Sequence, residues 1–180
     1  GVYGADGTTY GTEIEGFSRI TSHGSSTGPS WFTVQTKDGR VYEYGNTTDS
    51  KVYAHGTTVV RSWALDRVTD LNNNYMTYQY HQDTADGDYW PLYINYTGNV
   101  GIAPDHQVEF DYEARPTVIA GYIHGSLVTQ TQRLTNVKIN YAGATTFNYT
   151  LGYQTANATG RSDLTSVTEC GADGTCLPAT

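Results

Sequence analysis

Hydrophobic and polar positions alternate with a period of two along most of this chain. The clearest runs are Val41-Tyr42-Glu43-Tyr44, Tyr78-Gln79-Tyr80, Tyr93-Ile94-Asn95-Tyr96 and Val108-Glu109-Phe110-Asp111-Tyr112. Alternation sends residues i and i+2 to one face of a strand, so each run offers a row of rings to one side. No segment sustains apolar residues at i, i+3, i+4 and i+7, and helices are not expected. Strands are predicted over 12–21, 31–36, 40–45, 59–68, 75–82, 91–97, 107–113, 117–124, 127–140, 146–154 and 163–169. Lys37-Asp38-Gly39, Asn72-Asn73-Asn74, Asp86-Gly87-Asp88, Tyr141-Ala142-Gly143 and Asn157-Ala158-Thr159-Gly160 supply the turns between them. Residues 22–30 and 98–106 read as polar surface loops. The pattern repeats loosely, as in a meander, without a solenoid period.

Composition sharpens this picture. The chain has 180 residues, 16 of them tyrosine, and only 37% are hydrophobic. Tyrosine packs its ring while keeping its hydroxyl wet, which suits a broad, thin sheet better than a thick aliphatic core. The expected fold class is therefore all-β: an antiparallel meander forming a large curved sheet or an open β-sandwich. It is taken as one domain over residues 1–180, with free strand edges at both ends. The start, Gly1-Val2-Tyr3-Gly4, has no basic or apolar leader pattern, and the chain reads as a piece of a larger protein. A net charge of -8 with ten basic residues argues against nucleic acid as a partner. No apolar run is long enough for a membrane-spanning helix.

Candidate chemistry is sparse. Glu13-Ile14-Glu15 has the Glu-x-Glu form of some ADP-ribosyltransferases, but in an alternating strand both carboxylates would share a solvated face. Asp83, Asp86 and Asp88 surround Gly87 without the spacing of a calcium loop, so an acidic turn is expected. His23, His55, His81, His106 and His124 are scattered without metal spacing. Ser22, Ser25 and Ser26 lack a nucleophile-elbow context. Asn46, Asn95, Asn148 and Asn157 begin Asn-x-Ser/Thr triplets, which matter only in a secreted eukaryotic chain. Cys170 and Cys176 bracket five turn-forming residues, which suits a small disulfide loop in an oxidising compartment; two free thiols are the alternative. Trp31, Trp63 and Trp90 are either packing rings or stacking platforms for a sugar. Tyr89, Trp90 and Tyr93 make the best candidate platform, because Asp88-Tyr89-Trp90-Pro91 follows a turn.

Several segments, in order, carry a resemblance. They are Tyr10-Gly-Thr-Glu-Ile-Glu-Gly-Phe-Ser-Arg-Ile20, Trp31-Phe-Thr-Val-Gln-Thr-Lys-Asp-Gly-Arg-Val-Tyr-Glu-Tyr-Gly45 and Trp63-Ala-Leu-Asp-Arg-Val-Thr-Asp-Leu-Asn-Asn-Asn-Tyr75. Tyr93-Ile-Asn-Tyr-Thr-Gly-Asn99, Phe110-Asp-Tyr-Glu-Ala-Arg-Pro116, Arg133-Leu-Thr-Asn-Val-Lys-Ile-Asn-Tyr141 and Gly160-Arg-Ser-Asp-Leu-Thr-Ser-Val-Thr-Glu-Cys170 with Cys176-Leu-Pro178 follow. Together they resemble the virulence-plasmid B and Tc-toxin B-component proteins of the wider Rhs/YD-repeat class. That resemblance implies a secreted bacterial origin and a non-enzymatic wall segment of a larger β-shell or toxin complex. It implies no catalytic residue, cofactor or metal in this chain. The other expectation, from the rings alone, is a carbohydrate- or cell-surface-binding module.

Overall fold

The computed structural model describes residues 2–25 and 28–180, and every regular element among them is a strand. One antiparallel sheet runs in the order β1 (Thr9–Tyr10), β2 (Arg19–Ser25), β3 (Gly28–Gln35), β4 (Val41–Tyr44), β7 (Leu65–Thr69), β8 (Tyr75–Asp83), β9 (Asp88–Gly98), β10 (His106–Ile123), β11 (Ser126–Tyr141), β12 (Ala144–Thr155) and β13 (Ser162–Gly171). A separate ribbon is made by β5 (Lys51–Tyr53) and β6 (Val60–Trp63). The fold class is the expected one: an all-β meander whose sheet does not close.

Register explains why the alternating sequence builds this sheet. On one face the pairing runs Ile20–Val34–Tyr42–Val68–Met76 from β2 to β8. It resumes as Tyr78–Ile94–Val108–Ile139–Phe147 from β8 to β12. Tyr78 joins the two rows by donating its hydroxyl to the Met76 sulfur at 3.0 Å. A slip of one residue in any strand would turn its rings to the polar side, so the hydrophobic pattern fixes the register.

The thin core lies in the first half of the chain, around the β5–β6 ribbon and at β2. Val52, Ser50 and Ser22 are fully buried, and Asp66 and Ala64 nearly so. Trp63 packs edge-on against Phe32 with centroids 4.9 Å apart, and its indole N–H donates to the Ser30 carbonyl. Gly45 sits beneath that ring at φ 77, and any side chain there would collide with it.

Several boundaries differ from the sequence expectation. Residues 11–18 are not the start of a strand. Thr12 donates to the Ile14 carbonyl and Glu15 accepts from the Phe17 N–H, local bonds that compete with a ladder. Ile14 is consequently 86% exposed and Phe17 has a left-handed φ of 54. The Glu13-Ile14-Glu15 strand reading is corrected accordingly.

The 22–30 loop is also corrected. Within its described part, β2 and β3 pair Ser22 with Phe32 and His23 with Trp31. Ser22 is tolerated there because its hydroxyl donates to the Ala5 carbonyl at 2.8 Å. Ser26 lies outside the described residues. The 59–68 strand breaks at Ala64, which turns its N–H to Ser50 and its carbonyl to Gly45. β6 therefore leaves the main sheet for β5, a three-residue strand the pattern did not signal.

Residues 107–113 and 117–124 form one strand, β10. Its pairing with β11 slips between Asp111 and Tyr112 and again between Ala114 and Ile119. Pro116 lies in the second irregularity, where its missing N–H costs no ladder bond. The expected free edge at the C-terminal end is covered: Leu177 donates to Glu169, and Val167 and Thr180 exchange backbone bonds.

Candidate interaction surface

The face opposite the ring rows is a polar ladder. Cross-strand partners run Thr33–Glu43–Arg67–Thr77–Asn95–Gln107–Asn140–Thr145 from β3 to β12. Gln107 donates to Asn95 at 2.9 Å, and Asn140 donates to Gln107 at 3.1 Å and to Glu109 at 2.8 Å. Thr145 closes the row on Asn140 at 2.9 Å. Lys138 joins from the next row, 2.7 Å from Asp111 and 3.4 Å from Glu109, and the Asp111 bond first of all holds its ammonium pKa up. Such a network fixes neighbouring strands laterally, because each amide serves both sides.

The candidate platform residues divide between the two faces. Trp90 pairs with His81 and Tyr93 with Gln79, and His81 and Gln79 are two apart in β8, so Trp90 and Tyr93 share the polar face. Tyr89 points the other way, onto Tyr80 at 5.7 Å. The reason is that Asp88 already begins β9, so adjacent residues alternate sides. One face of Trp90 is taken by His81, stacked at 4.5 Å, and Tyr112 leans in at 5.8 Å. Burial lifts the Tyr112 hydroxyl to about 12, and it donates to the Pro91 carbonyl at 2.8 Å. Trp31 repeats the arrangement, with His23 stacked on it at 3.8 Å.

The remaining candidates stand apart from one another. Glu13 and Glu15 are exposed in the 11–18 segment. The acidic turn is faced by Arg61, which donates to the Gly87 carbonyl at 3.0 Å. Burial raises the Asp88 carboxyl, against the Tyr89 N–H and Arg61, which lower it. Among the described residues no three His, Cys, Asp or Glu side chains are grouped to hold a metal. Cys170 and Cys176 are bonded to each other with Cα atoms 4.0 Å apart.

One cluster escaped the sequence reading. His106 lies between the rings of Tyr96 and Tyr141, and its Nδ1 is 2.7 Å from Asp105. Thr97 also donates its hydroxyl to Asp105, and these bonds, the Thr97 one first, pull the Asp105 carboxyl below its usual range. The order is Thr–Asp–His. In a nucleophilic triad the imidazole, not the carboxylate, touches the hydroxyl. This arrangement fixes a ring and activates no nucleophile. The adjacent Asp105-His106 pair was its sole signal in the sequence.

The described residues thus form an open, two-faced antiparallel β-sheet with laterally bonded strands. Residues 7–92 match the model of the SpvB family, described as Salmonella virulence plasmid 65kDa B protein. A likeness of fold covers more of the chain. The N-terminal domain of effector protein SpvB from Salmonella typhimurium strain LT2 aligns with a TM-score of 0.77 at 13% identity, over 91% of this chain and 68% of that one. The Photorhabdus luminescens Tc holotoxin pore gives 0.76 at 15% identity, and TcdB2-TccC3 gives 0.72 at 15%. Those two alignments cover 94% and 91% of this chain but 11% of each of the larger chains. No curated protein matches the chain. The family match, over just under half of the chain, and the shared fold both support the resemblance to SpvB and Tc-toxin proteins.

Proposed function

We propose that this chain is a non-enzymatic structural segment, one panel of the wall of a larger secreted bacterial toxin-class protein. The observation that carries this reading is the two-faced register: rings on one side, a bonded amide ladder on the other, joining β2 to β12 as one sheet. Several side chains that could do chemistry instead hold strands together. His23 and His81 stack on tryptophans, and Asp105 and Glu109 accept bonds from ladder or turn residues. The likeness to parts of long Tc chains supports a place inside a larger assembly. The Cys170–Cys176 pairing supports an oxidising, extracytoplasmic destination.

A carbohydrate-binding module is the second reading, favoured by Trp90 and Tyr93 sharing the polar face with Gln79. Trp90→Ala separates the two. As a packing ring its loss lowers the melting temperature by roughly 5–10 °C, because His81 and Tyr112 lose their partner. Retardation in glycan affinity gels stays the same for both proteins. Saturable glycan binding that disappears in Trp90→Ala, with the melting temperature unchanged, would overturn the structural reading.

A further inference from the structure

The turn between β7 and β8 and the turn after β9 frame an open cavity of about 350 Å³. Its polar lining is Arg67, Thr69, Asn73, Tyr75 and Asn99. The two turns are braced on each other. Asn99 donates its side-chain amide to the Asn72 carbonyl at 3.2 Å and to the Asn74 side-chain oxygen at 2.6 Å. Asn99 and Ile102 exchange backbone bonds, and the Tyr75 hydroxyl donates to the Ile102 carbonyl at 3.3 Å. The cavity is therefore formed by the fold before any ligand arrives.

Arg67 is fixed in this cavity but not neutralised. The Tyr75 ring lies against Gly98, its partner in β9, where any side chain would collide with it. The Arg67 guanidinium stacks over that ring at 3.9 Å, and its Nε donates to the Thr69 hydroxyl at 3.2 Å. Glu43 approaches Nε at 3.9 Å, too far for a hydrogen bond. Among the described residues neither terminal nitrogen of Arg67 has a hydrogen-bond partner. Arg40, Arg61 and Arg133 by contrast each place a terminal nitrogen on a protein oxygen. Asn73, with φ 61, bonds through its backbone N–H to the Asp70 carbonyl, and its side-chain amide bonds to no described residue.

A guanidinium already held by a ring and a hydroxyl keeps its outer fork in place. A planar carboxylate can then take two N–H groups with little further loss of side-chain freedom. We propose that this cavity is a binding site for a small carboxylate, held by the terminal nitrogens of Arg67 with the Asn73 amide beside them. One guanidinium in a chain of net charge -8 matches one negative charge, which selects a carboxylate over a phosphate dianion. Among the described residues no Asp or Glu lines the cavity, so Arg67 sets the local sign and acids farther off are screened. Val100 and Ile102 also line it and are largely exposed, so the ligand's carbon skeleton meets apolar surface. Affinity on the order of millimolar is expected from one fork in an open cavity. An acidic sugar and an acidic side chain both carry this chemistry. The site does not include Trp90 or Tyr93, and its failure would leave the wall reading as it stands.

Amide NMR titration of the 180-residue chain at constant ionic strength tests this. The probes are sodium glucuronate for the sugar source and sodium butyrate for the side-chain source, each to about 50 mM. Glucose and butyramide are their uncharged controls. The expected result is saturable shifts at Asn73, Tyr75 and Gly101 with at least one acid and none with either control. The acid that binds more tightly identifies the source. Arg67→Gln removes the fork and should weaken binding at least about tenfold. Should it disturb the ladder, Asn73→Asp still reads the site, because it changes an unbonded side chain outside any strand. Its carboxylate repels the ligand or takes the fork itself, and binding should again fall at least about tenfold. No saturation with either acid, equal shifts with the uncharged controls, or unchanged affinity in Asn73→Asp would each overturn the proposal.

Discussion

The two halves of this sheet are stabilised differently. Up to β9 most strands are shorter, and the β5–β6 ribbon adds Trp63 packed on Phe32. Ser22, Ser50, Val52, Ala64 and Asp66 are buried there. From β10 onward the strands run to 18 residues with no such cover, and among the described residues only Val128 and Asn140 are comparably buried. Lateral bonds take over in that half. Arg133 reaches Glu113 at 2.6 Å and Ser162 at 2.8 Å and lies over the Tyr153 ring, tying β10 to β13 through side chains. Packing around Trp63 and Phe32 thus adds to the polar ladder in the first half, and from β10 onward the lateral bonds act without it.

The largest expected effect falls in the packed half. Phe32→Ala removes the ring between Tyr10 and Trp63 and should cost about 2–3 kcal/mol, less than for a fully buried phenylalanine. Urea unfolding measures it; a loss below about 1 kcal/mol would mean the ribbon carries no packing. In the ladder half, Cys176→Ser should cost about 2 kcal/mol, as expected for so short a loop. It should also raise amide exchange at Val167 and Leu177, where the final residues lie on β13. Asn140→Ala should cost about 1–2 kcal/mol, because Gln107, Glu109 and Thr145 lose a shared partner. Asn140→Asp should be worse near neutral pH than in acid, since Glu109 is already 2.8 Å away.

The smallest effect is a pH dependence in the packed half. Burial, above all, raises the Asp66 carboxyl, against the Asn46 N–H and Ser50 hydroxyl, which lower it. A carboxyl raised on folding favours the native state below its unfolded value, 3.8, and loses that contribution as pH rises through the folded one. The stability of the natural chain relative to Asp66→Asn should therefore increase as pH falls from 7 toward 4. A difference independent of pH would place Asp66 in a wetter setting.

Turns and ring rows were legible in the sequence because each rests on local chemistry. Lys37-Asp38-Gly39 lies between β3 and β4, Asn72-Asn73-Asn74 between β7 and β8, and Asn157 to Gly160 between β12 and β13. The platform at Tyr89, Trp90 and Tyr93 was not legible as a split pair. Whether Asp88 ends a turn or begins a strand depends on its pairing with Asp83. Likewise Ser22 and His23 read as loop because their partners, Phe32 and Trp31, supply the context that makes them strand. The parting of β6 from the main sheet depends on two backbone bonds of Ala64, which no periodicity encodes.

Native-state hydrogen exchange along the chain tests most directly whether packing and ladder make one wall. The account predicts a single protected block from β2 to β13 that opens at one common free energy. Within β10 the amides beyond Glu109 that face away from β11 should exchange early. If β10 to β13 instead open together at a free energy well below that of β2 to β9, the sheet is two units and the account is wrong.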